Sequence, residues 1–396
     1  GGWHDAGDYG KYVATTAVTI GRILSLYEQR PQLFWDGQLA IPESGNGIPD
    51  VLDEMQFGLD WLLRMQRPDG AVYRKLSGTA WPIGLSPDED QQSRYVYGVS
   101  TPETAKFAAA MAIAARVFQP LKTELAQPYQ QAAEKAWSYL EQHPTMQVDW
   151  VDGDDSGSGK YLSSETDTET SLTVDTDDRF WAAAELYIAT GQPQFEQYVA
   201  KYLKRNDYTL FEWKDPSALG MTNYLFQTKQ PIASNIRRRL VSKLQKRANQ
   251  ALDRVNQSGY RLANDRFIWG SNKIAAEEAI TLLYAHQVTP RAAYKAAAAD
   301  QLDYLLGRNP FNQTFVTGLG THPVRHTNHL FTRAKGIYIP GLLVGGPNNL
   351  AQDQIASANL GIRSYIDDER SYATNEYAID YNASLITLMG LMQSYQ

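Results

Sequence analysis

Gly1-Gly2-Trp3-His4-Asp5-Ala6-Gly7-Asp8-Tyr9-Gly10 opens the chain, and Lys11 to Tyr27 (KYVATTAVTIGRILSLY) follows without a break. The opening stretch carries two carboxylates three residues apart, with too many glycines and too few apolar side chains for a core element. In the continuation, Val13, Ala17, Ile20, Leu24 and Tyr27 recur at steps of three and four, the signature of one apolar helix face. Gly7 and Gly10 permit backbone conformations that other residues avoid, so Asp5 and Asp8 can be turned toward one point. Two acids aimed at one point can hold a metal, or position and deprotonate a water. The spacing alone equally fits an Asx turn leading into the helix, with Asp8 near its N-cap.

The same alternation of polar loop and apolar-faced helix continues outward from this unit. A loop at 41–48 (IPESGNGI) precedes a helix starting near Pro49, a favoured first-turn residue, which turns Leu52, Met55, Leu59 and Leu62 inward. Ser100-Thr101-Pro102-Glu103 is a further helix start, leading to Phe107, Met111 and Phe118. Helices are also predicted at Glu124–Glu141, Arg179–Thr190, Phe195–Arg205, Ile236–Val255, Lys273–His286, Pro290–Leu306 and, last, from about Asn375 to Met392. Long polar or Gly/Pro-rich loops are expected at 152–178 and 309–371. No strand pattern alternates with these helices, and no short sequence repeat is visible. About ten or eleven helices, joined by alternating short and long connections, suit a closed all-α ring of helical hairpins with the long loops on one face. An α-solenoid lacks such irregular loops.

Composition narrows the function. With 43% hydrophobic and 20% charged residues in 396, the chain can build a large core. Its 37 basic against 44 acidic residues give a net charge of −7 with no basic block, which argues against nucleic acid or an anionic membrane as partner. A neutral sugar is compatible with that charge, and the 24 Tyr and 9 Trp offer faces suited to pyranose rings. The absence of cysteine excludes disulfides and Cys-based zinc sites.

Taken together, GGWHDAGDYGKYV, NGIPDVLDE, RYVYGVSTPETAKFAAAMA, DDRFWAAAELY, FIWGSN, LLGRNPFNQTFVTGLG, PGLLVGGPN and YATNEYAIDYNA, in this order, resemble the catalytic domain of glycoside hydrolase family 9. The resemblance runs from Gly1 to the C-terminus. It implies an (α/α)6 barrel and an inverting hydrolase of β-1,4-glucans, endo-acting as in the family's cellulases. Residues 1–396 would form one catalytic domain, a processed or truncated piece of a secreted or periplasmic product. The family's usual preceding helix and immunoglobulin-like domain are not in this sequence, so an exposed apolar strip is expected where that helix would pack. The alternatives are an exo-acting β-glucosidase or β-glucosaminidase on short oligosaccharides, and a carbohydrate-binding protein without catalysis.

Residue by residue, the resemblance makes Asp8 the general base, Asp5 a holder of the attacking water, and Glu376 the general acid. Asp367 and Tyr381 match positions near the reacting sugar, and Trp269 lies in a motif beside the barrel mouth. For Trp269, as for Trp3 and Trp81, both stacking on a sugar and packing in the core are open. Inversion needs two carboxyl groups roughly 6.5–9.5 Å apart with room for water between them, the acid holding its proton near neutrality. Glu376 at a helix start would feel the opposite push, while repulsion from Asp5, Asp8 and Asp367 would raise it. A substrate-binding His-x-Arg of family cellulases falls on Asn328, His329 and Leu330, so both key residues are replaced; Arg325 and His329 are the candidate substitutes. His322, His326 and His329 have metal-like spacing, but Pro323 argues against one helix face. Asp175, Asp177 and Asp178 stand where the family often binds a structural calcium, or else cap the following helix. No other cofactor is expected.

Overall fold

In the computed structural model, residues 1–149 and 173–393 are described. Much of the loop expected at 152–178 therefore lies outside the described residues. Helix α1 (Val13–Gln29) is buried along almost its whole length. So are α3 (Thr101–Phe118), α5 (Thr176–Thr190), α7 (Ser217–Phe226) and α9 (Ser271–Val288), while α13 (Ile379–Gln393) is buried except along one edge. Helices buried on every side belong inside a larger assembly. Here α1, α3, α5 and α7 pack in succession, and α9 followed by α13 returns to α1. Five helices buried on one face only form the outer layer: α2 (Asp50–Arg64), α4 (Thr123–Gln142), α6 (Pro193–Arg205), α8 (Ser234–Gln257) and α10 (Ala292–Leu305). This is the (α/α)6 barrel, with six inner helices and, among the described residues, five outer ones. On α13, Ile386 and Met389 are 44% and 43% exposed.

Local chemistry sets the helix ends. At α3, the Ser100 hydroxyl accepts from the Glu103 N–H at 3.1 Å and donates to the Glu103 carboxylate, an N-cap with Pro102 in the first turn. Helix α5 stops at Gly191, which takes the left-handed conformation at φ 69°. Inside the ring, charges are paired: Arg22 of α1 with Glu277 of α9, and Lys273 of α9 with Asp380 of α13 at 2.6 Å. The Phe211 ring lies between the two cations, 4.5 Å from the Arg22 guanidinium carbon and 5.2 Å from the Lys273 ammonium.

Short strands, which the sequence did not announce, gather at one end of the barrel. β1 (Lys11–Tyr12), β3 (Lys75–Ser77) and β4 (Tyr95–Val96) form an antiparallel sheet in the order β1-β3-β4. β2 (Val72–Tyr73) pairs with β5 (Val99–Ser100). Two short helices, α11 (Leu330–Lys335) and α12 (Tyr372–Asn375), interrupt the long loop before α13.

Candidate active site

The opening loop is pinned to the rest of the mouth by its backbone. Asp5 N donates to Gly10 O, Leu330 N to Gly7 O, and Ile379 N to Asp5 O, at 2.8–3.0 Å. Gly7 and Gly10 lie outside the left-handed region, so conformational freedom is not why they are glycine. The reason is space. A Cβ on Gly7 would sit 2.6 Å from Glu376 Oε1, and one on Gly10 would sit 2.7 Å from Asp8 Oδ2. Asp8 does not cap α1 either: the N-cap is Tyr12, without a side-chain cap bond. Instead Asp8 Oδ2 accepts a 2.9 Å hydrogen bond from the Tyr12 hydroxyl. Asp5 keeps its Oδ1 buried with no protein partner, an acceptor that a water between the two aspartates would satisfy.

Glu376 is not at the start of the final helix, as the sequence suggested; α13 begins at Ile379. It occupies an extended link between α12 and α13, with φ −71° and ψ 141°. That link pairs in parallel with Asn328, and Gly345 N donates to Glu376 O at 2.8 Å. Glu376 therefore lies three residues before α13 and not in its first turn. Its Oε1 accepts from Gly7 N at 2.9 Å and its Oε2 from the Trp269 indole N–H at 3.2 Å. Burial, then the charge of Asp8, push the Glu376 carboxyl up to about 8 against the pull of these two donors. Burial raises Asp8 too, but the bonds from Tyr12 and the loop backbone and the charge of Lys75 oppose it. Asp5 is raised well above the usual carboxylate range by burial and by the nearby Asp380, Asp8 and Glu376. Two carboxyl groups whose surroundings treat them differently can divide the roles of acid and base.

The other predicted site residues separate into distinct positions. Tyr381, in the first turn of α13, packs its ring where a Cβ on Gly270 would be 2.9 Å away. Burial and the charges of Asp380, Glu376 and Asp5 raise its phenol well above 10, so it is a fixed neutral donor. Trp269 is 36% exposed and stacks on Tyr372 with ring centres 5.4 Å apart. Trp81 is 45% exposed on the loop beside Asp8, whereas Trp3 is half-buried and bonds Glu54 at 2.6 Å.

Three of the expected sites have partners within the protein. Asp367 is spent on the protein: its oxygens accept from Arg325 N, His326 N, Gln313 Nε2 and Asn375 Nδ2 at 2.8–3.0 Å. It shapes the loop that carries Arg325, whose side chain is exposed. His329 is buried, stacked on Tyr377 at 4.7 Å, and caps α11 by accepting from Phe331 N at 3.1 Å. Burial, then His4, lower it to about 4, so the imidazole is neutral near neutral pH.

The calcium set is the third. Asp178 pairs with the Lys106 ammonium at 2.5 Å, both side chains being fully buried, and Asp175 pairs with Arg179 at 2.9 Å. Glu103 and Asp177 also bear on Lys106 and raise it. Asp177 holds two buried oxygens without hydrogen-bond partners, and burial, Asp178 and Asp215 raise it well above the usual range. Among the described residues no three His, Asp or Glu side chains converge as a metal site. Lys106 supplies a protein cation to this set.

Sequence reasoning missed the groups around the base. Tyr12 lay in the quoted stretch, four residues after Asp8, and was the one readable signal. Lys75 lies on β3, Asp90 and Gln92 come from the loop after it, outside any motif, and Arg94 opens the RYVYGVST stretch, whose approach to Asp8 its pattern did not announce. Asp8, Ser77, Trp81, Asp90, Gln92 and Arg94 line a cavity of about 20 Å³, room for a single water. A larger cavity of about 230 Å³, between α6 and α8, lies away from these carboxylates.

An all-α barrel whose mouth holds a high-pKa carboxyl beside a second, differently treated carboxylate defines a glycoside hydrolase. Residues 1–389 match the model of glycosyl hydrolase family 9, and the chain belongs to that family. A xyloglucan-specific endo-β-1,4-glucanase of Bacteroides ovatus is 36% identical, the match covering 98% of this chain and 68% of that protein. Endoglucanase D of Acetivibrio thermocellus is 32% identical over all of this chain and 61% of that protein. The chain thus spans 61–68% of the length of these two curated relatives. Among solved structures, a metagenome-derived family 9 endoglucanase superposes with a TM-score of 0.92 at 46% identity, covering 99% of this chain and 70% of the other. A zinc-binding triple mutant of endoglucanase J30 gives a TM-score of 0.90 at 36% identity, covering 99% and 74%.

Proposed function

We propose that the chain is an endo-acting β-1,4-glucanase that hydrolyses by inversion. Asp8 takes a proton from a water that Asp5 helps to hold, the water oxygen bonds to the anomeric carbon, and the glycosidic C–O bond breaks. Glu376 delivers its proton to the leaving oxygen. Two carboxyl groups suffice for this chemistry, so no cofactor is required. The observation that carries the reading is the bond from Gly7 N to Glu376: the loop that bears Asp8 also grips the acid, whose carboxyl is pushed up to about 8. The substrate is a neutral glucan, with Trp269 and Tyr372 as an exposed aromatic pair at the mouth. Arg325 remains as the exposed cation on the loop where the family's arginine is replaced. Residues 1–396 act as one catalytic unit of a secreted protein. Among the described residues no helix is long and apolar enough to cross a membrane.

Hydrolysis of cellohexaose by wild type and Glu376→Gln tests this reading. Mixed short oligomers, a first-formed product of inverted anomeric configuration, and a loss of about 10²–10⁴ in the variant are expected. Glucose as sole product would replace the endo reading with the exo one. That second reading has its own support: Asn328 turns its amide to Glu369 O at 2.6 Å and Leu330 is buried, so neither replaces the lost His and Arg toward a sugar.

A further inference from the structure

Strands β1 and β3 place Tyr12 directly opposite Lys75 in their antiparallel register. Directly opposed residues of such a pair share one face of the sheet. The Tyr12 hydroxyl reaches Asp8 Oδ2 at 2.9 Å. Behind it, Lys75 is only 1% exposed, with its ammonium 5.7 Å from the Tyr12 ring centre and 4.3 Å from that of Tyr97. Tyr97 is itself fixed, donating its N–H to Lys75 O and its hydroxyl to Gly78 O, at 3.0 and 3.1 Å. A buried ammonium is costly, and a methionine would fill a similar volume without that cost. The charge of this cation, one side chain removed from Asp8, favours the ionised form of that carboxylate.

We propose that Tyr12 and Lys75 form a clamp that holds Asp8 ionised and correctly aimed, Tyr12 by its hydrogen bond and Lys75 by its charge acting past the Tyr12 ring. Both are positioning residues, and the proposal rests on Asp8 being the base. The other charged groups around Asp8 act around this clamp. Glu376 faces it from the link before α13, Asp5 from its own loop, and Asp90 and Arg94 across the small cavity. Asp5, Asp90 and Glu376 oppose ionisation when charged, which leaves Tyr12, Lys75 and Arg94 on the favourable side. Gly10 completes the device. A Cβ there would come within 2.7 Å of both the Tyr12 hydroxyl and Asp8 Oδ2, wedging apart the bond without removing either partner.

The test is the pH profile of kcat/KM on cellohexaose for wild type, Tyr12→Phe, Gly10→Ala, Lys75→Met and Lys75→Arg, with Asp8→Asn as reference. The base works ionised, so activity is lost as pH falls through its pKa. Removing a stabilising donor raises that pKa and moves the acidic limb to higher pH. Tyr12→Phe should move it by about one pH unit, the size expected for a hydrogen bond to a charged group. Gly10→Ala and Lys75→Met should move it the same way, and Lys75→Arg should restore most of the wild-type position. The basic limb, set by Glu376, should stay in place. An acidic limb unmoved in a normally melting Tyr12→Phe overturns the clamp. A limb that moves in Tyr12→Phe but not in a folded Lys75→Met removes Lys75 from it. Should Lys75→Met fail to fold, Tyr12→Phe and Gly10→Ala still decide the role of the hydrogen bond. If Asp8→Asn keeps more than about a tenth of wild-type activity, the assignment of the base has failed, and not the clamp.

Discussion

Replacing Gly7 with alanine separates catalysis from folding more sharply than removing a catalytic residue does. The added Cβ would lie 2.6 Å from Glu376 Oε1 and 3.3 Å from both Asn328 oxygens. Ordinary contact begins near 3.4 Å, so Oε1 must retreat by 3.4 − 2.6, about 0.8 Å. That oxygen ends a flexible side chain, and Gly7 does not use a left-handed conformation. The fold can therefore absorb the change for about 1 kcal/mol or less. The acid cannot, because its 2.9 Å bond from Gly7 N must lengthen as it moves. A misplacement near 1 Å costs about 10²-fold in rate, and since proton donation belongs to the transition state the loss should fall on kcat and not KM. The lost donor favoured the charged carboxylate, so the acid's pKa should rise beyond about 8 and the basic limb of the pH profile should move up. Steady-state kinetics on cellohexaose across pH, with melting curves of the same samples, measure all three quantities. A kcat within threefold of wild type, or a variant that fails to fold, would refute the reasoning.

Trp269→Phe keeps the ring on Tyr372 but loses the indole donor to Glu376; kcat should fall about tenfold and the basic limb should shift upward, and an unchanged limb would count against that bond. Glu376 is protonated to a higher pH when folded than the usual 4.5 of a free glutamate, so it binds more protons in the native state and costs stability as pH rises from about 4.5 to about 8. Glu376→Gln should thus melt above wild type at pH 8, with the gap closing toward pH 4.5, and differential scanning calorimetry at the two pH values decides it. Because Lys106 supplies the cation among Glu103, Asp177 and Asp178, EDTA should leave the melting temperature unchanged, while Lys106→Met should cost about 3–5 kcal/mol by stranding buried carboxylates. A fall of several degrees in EDTA would show instead that a bound metal shares this site.

The helix pattern was legible because outer helices bury one face: α4, α6, α8 and α10 came within two residues of their predicted ends. The helix at Ser217–Phe226 went unseen because nearly all its residues are buried, so no polar face marks its period. The small strands could not be read, being two or three residues long and defined by partners far along the chain. In the site, Asp5, Asp8 and Glu376 were readable from their motifs. The backbone around Glu376 was not, because its extended conformation comes from Asn328 and Gly345. His329 shows the same limit in reverse: a histidine in a loop looks available to a ligand until Tyr377 and the start of α11 are packed around it.

Gly7 and Glu376, joined by a hydrogen bond, are 369 residues apart. Asp8 and Glu376 therefore emerge far apart in the order of synthesis. The site exists only after α13 has come to rest against α1, the last seam of the ring to be available to a chain leaving the ribosome. A nascent chain, or one shortened before α13, is silent however much of its barrel has formed. During refolding, the return of activity becomes a clock for closure, and it must trail any signal that reports helix formation, because the contact it waits for joins residues 369 apart.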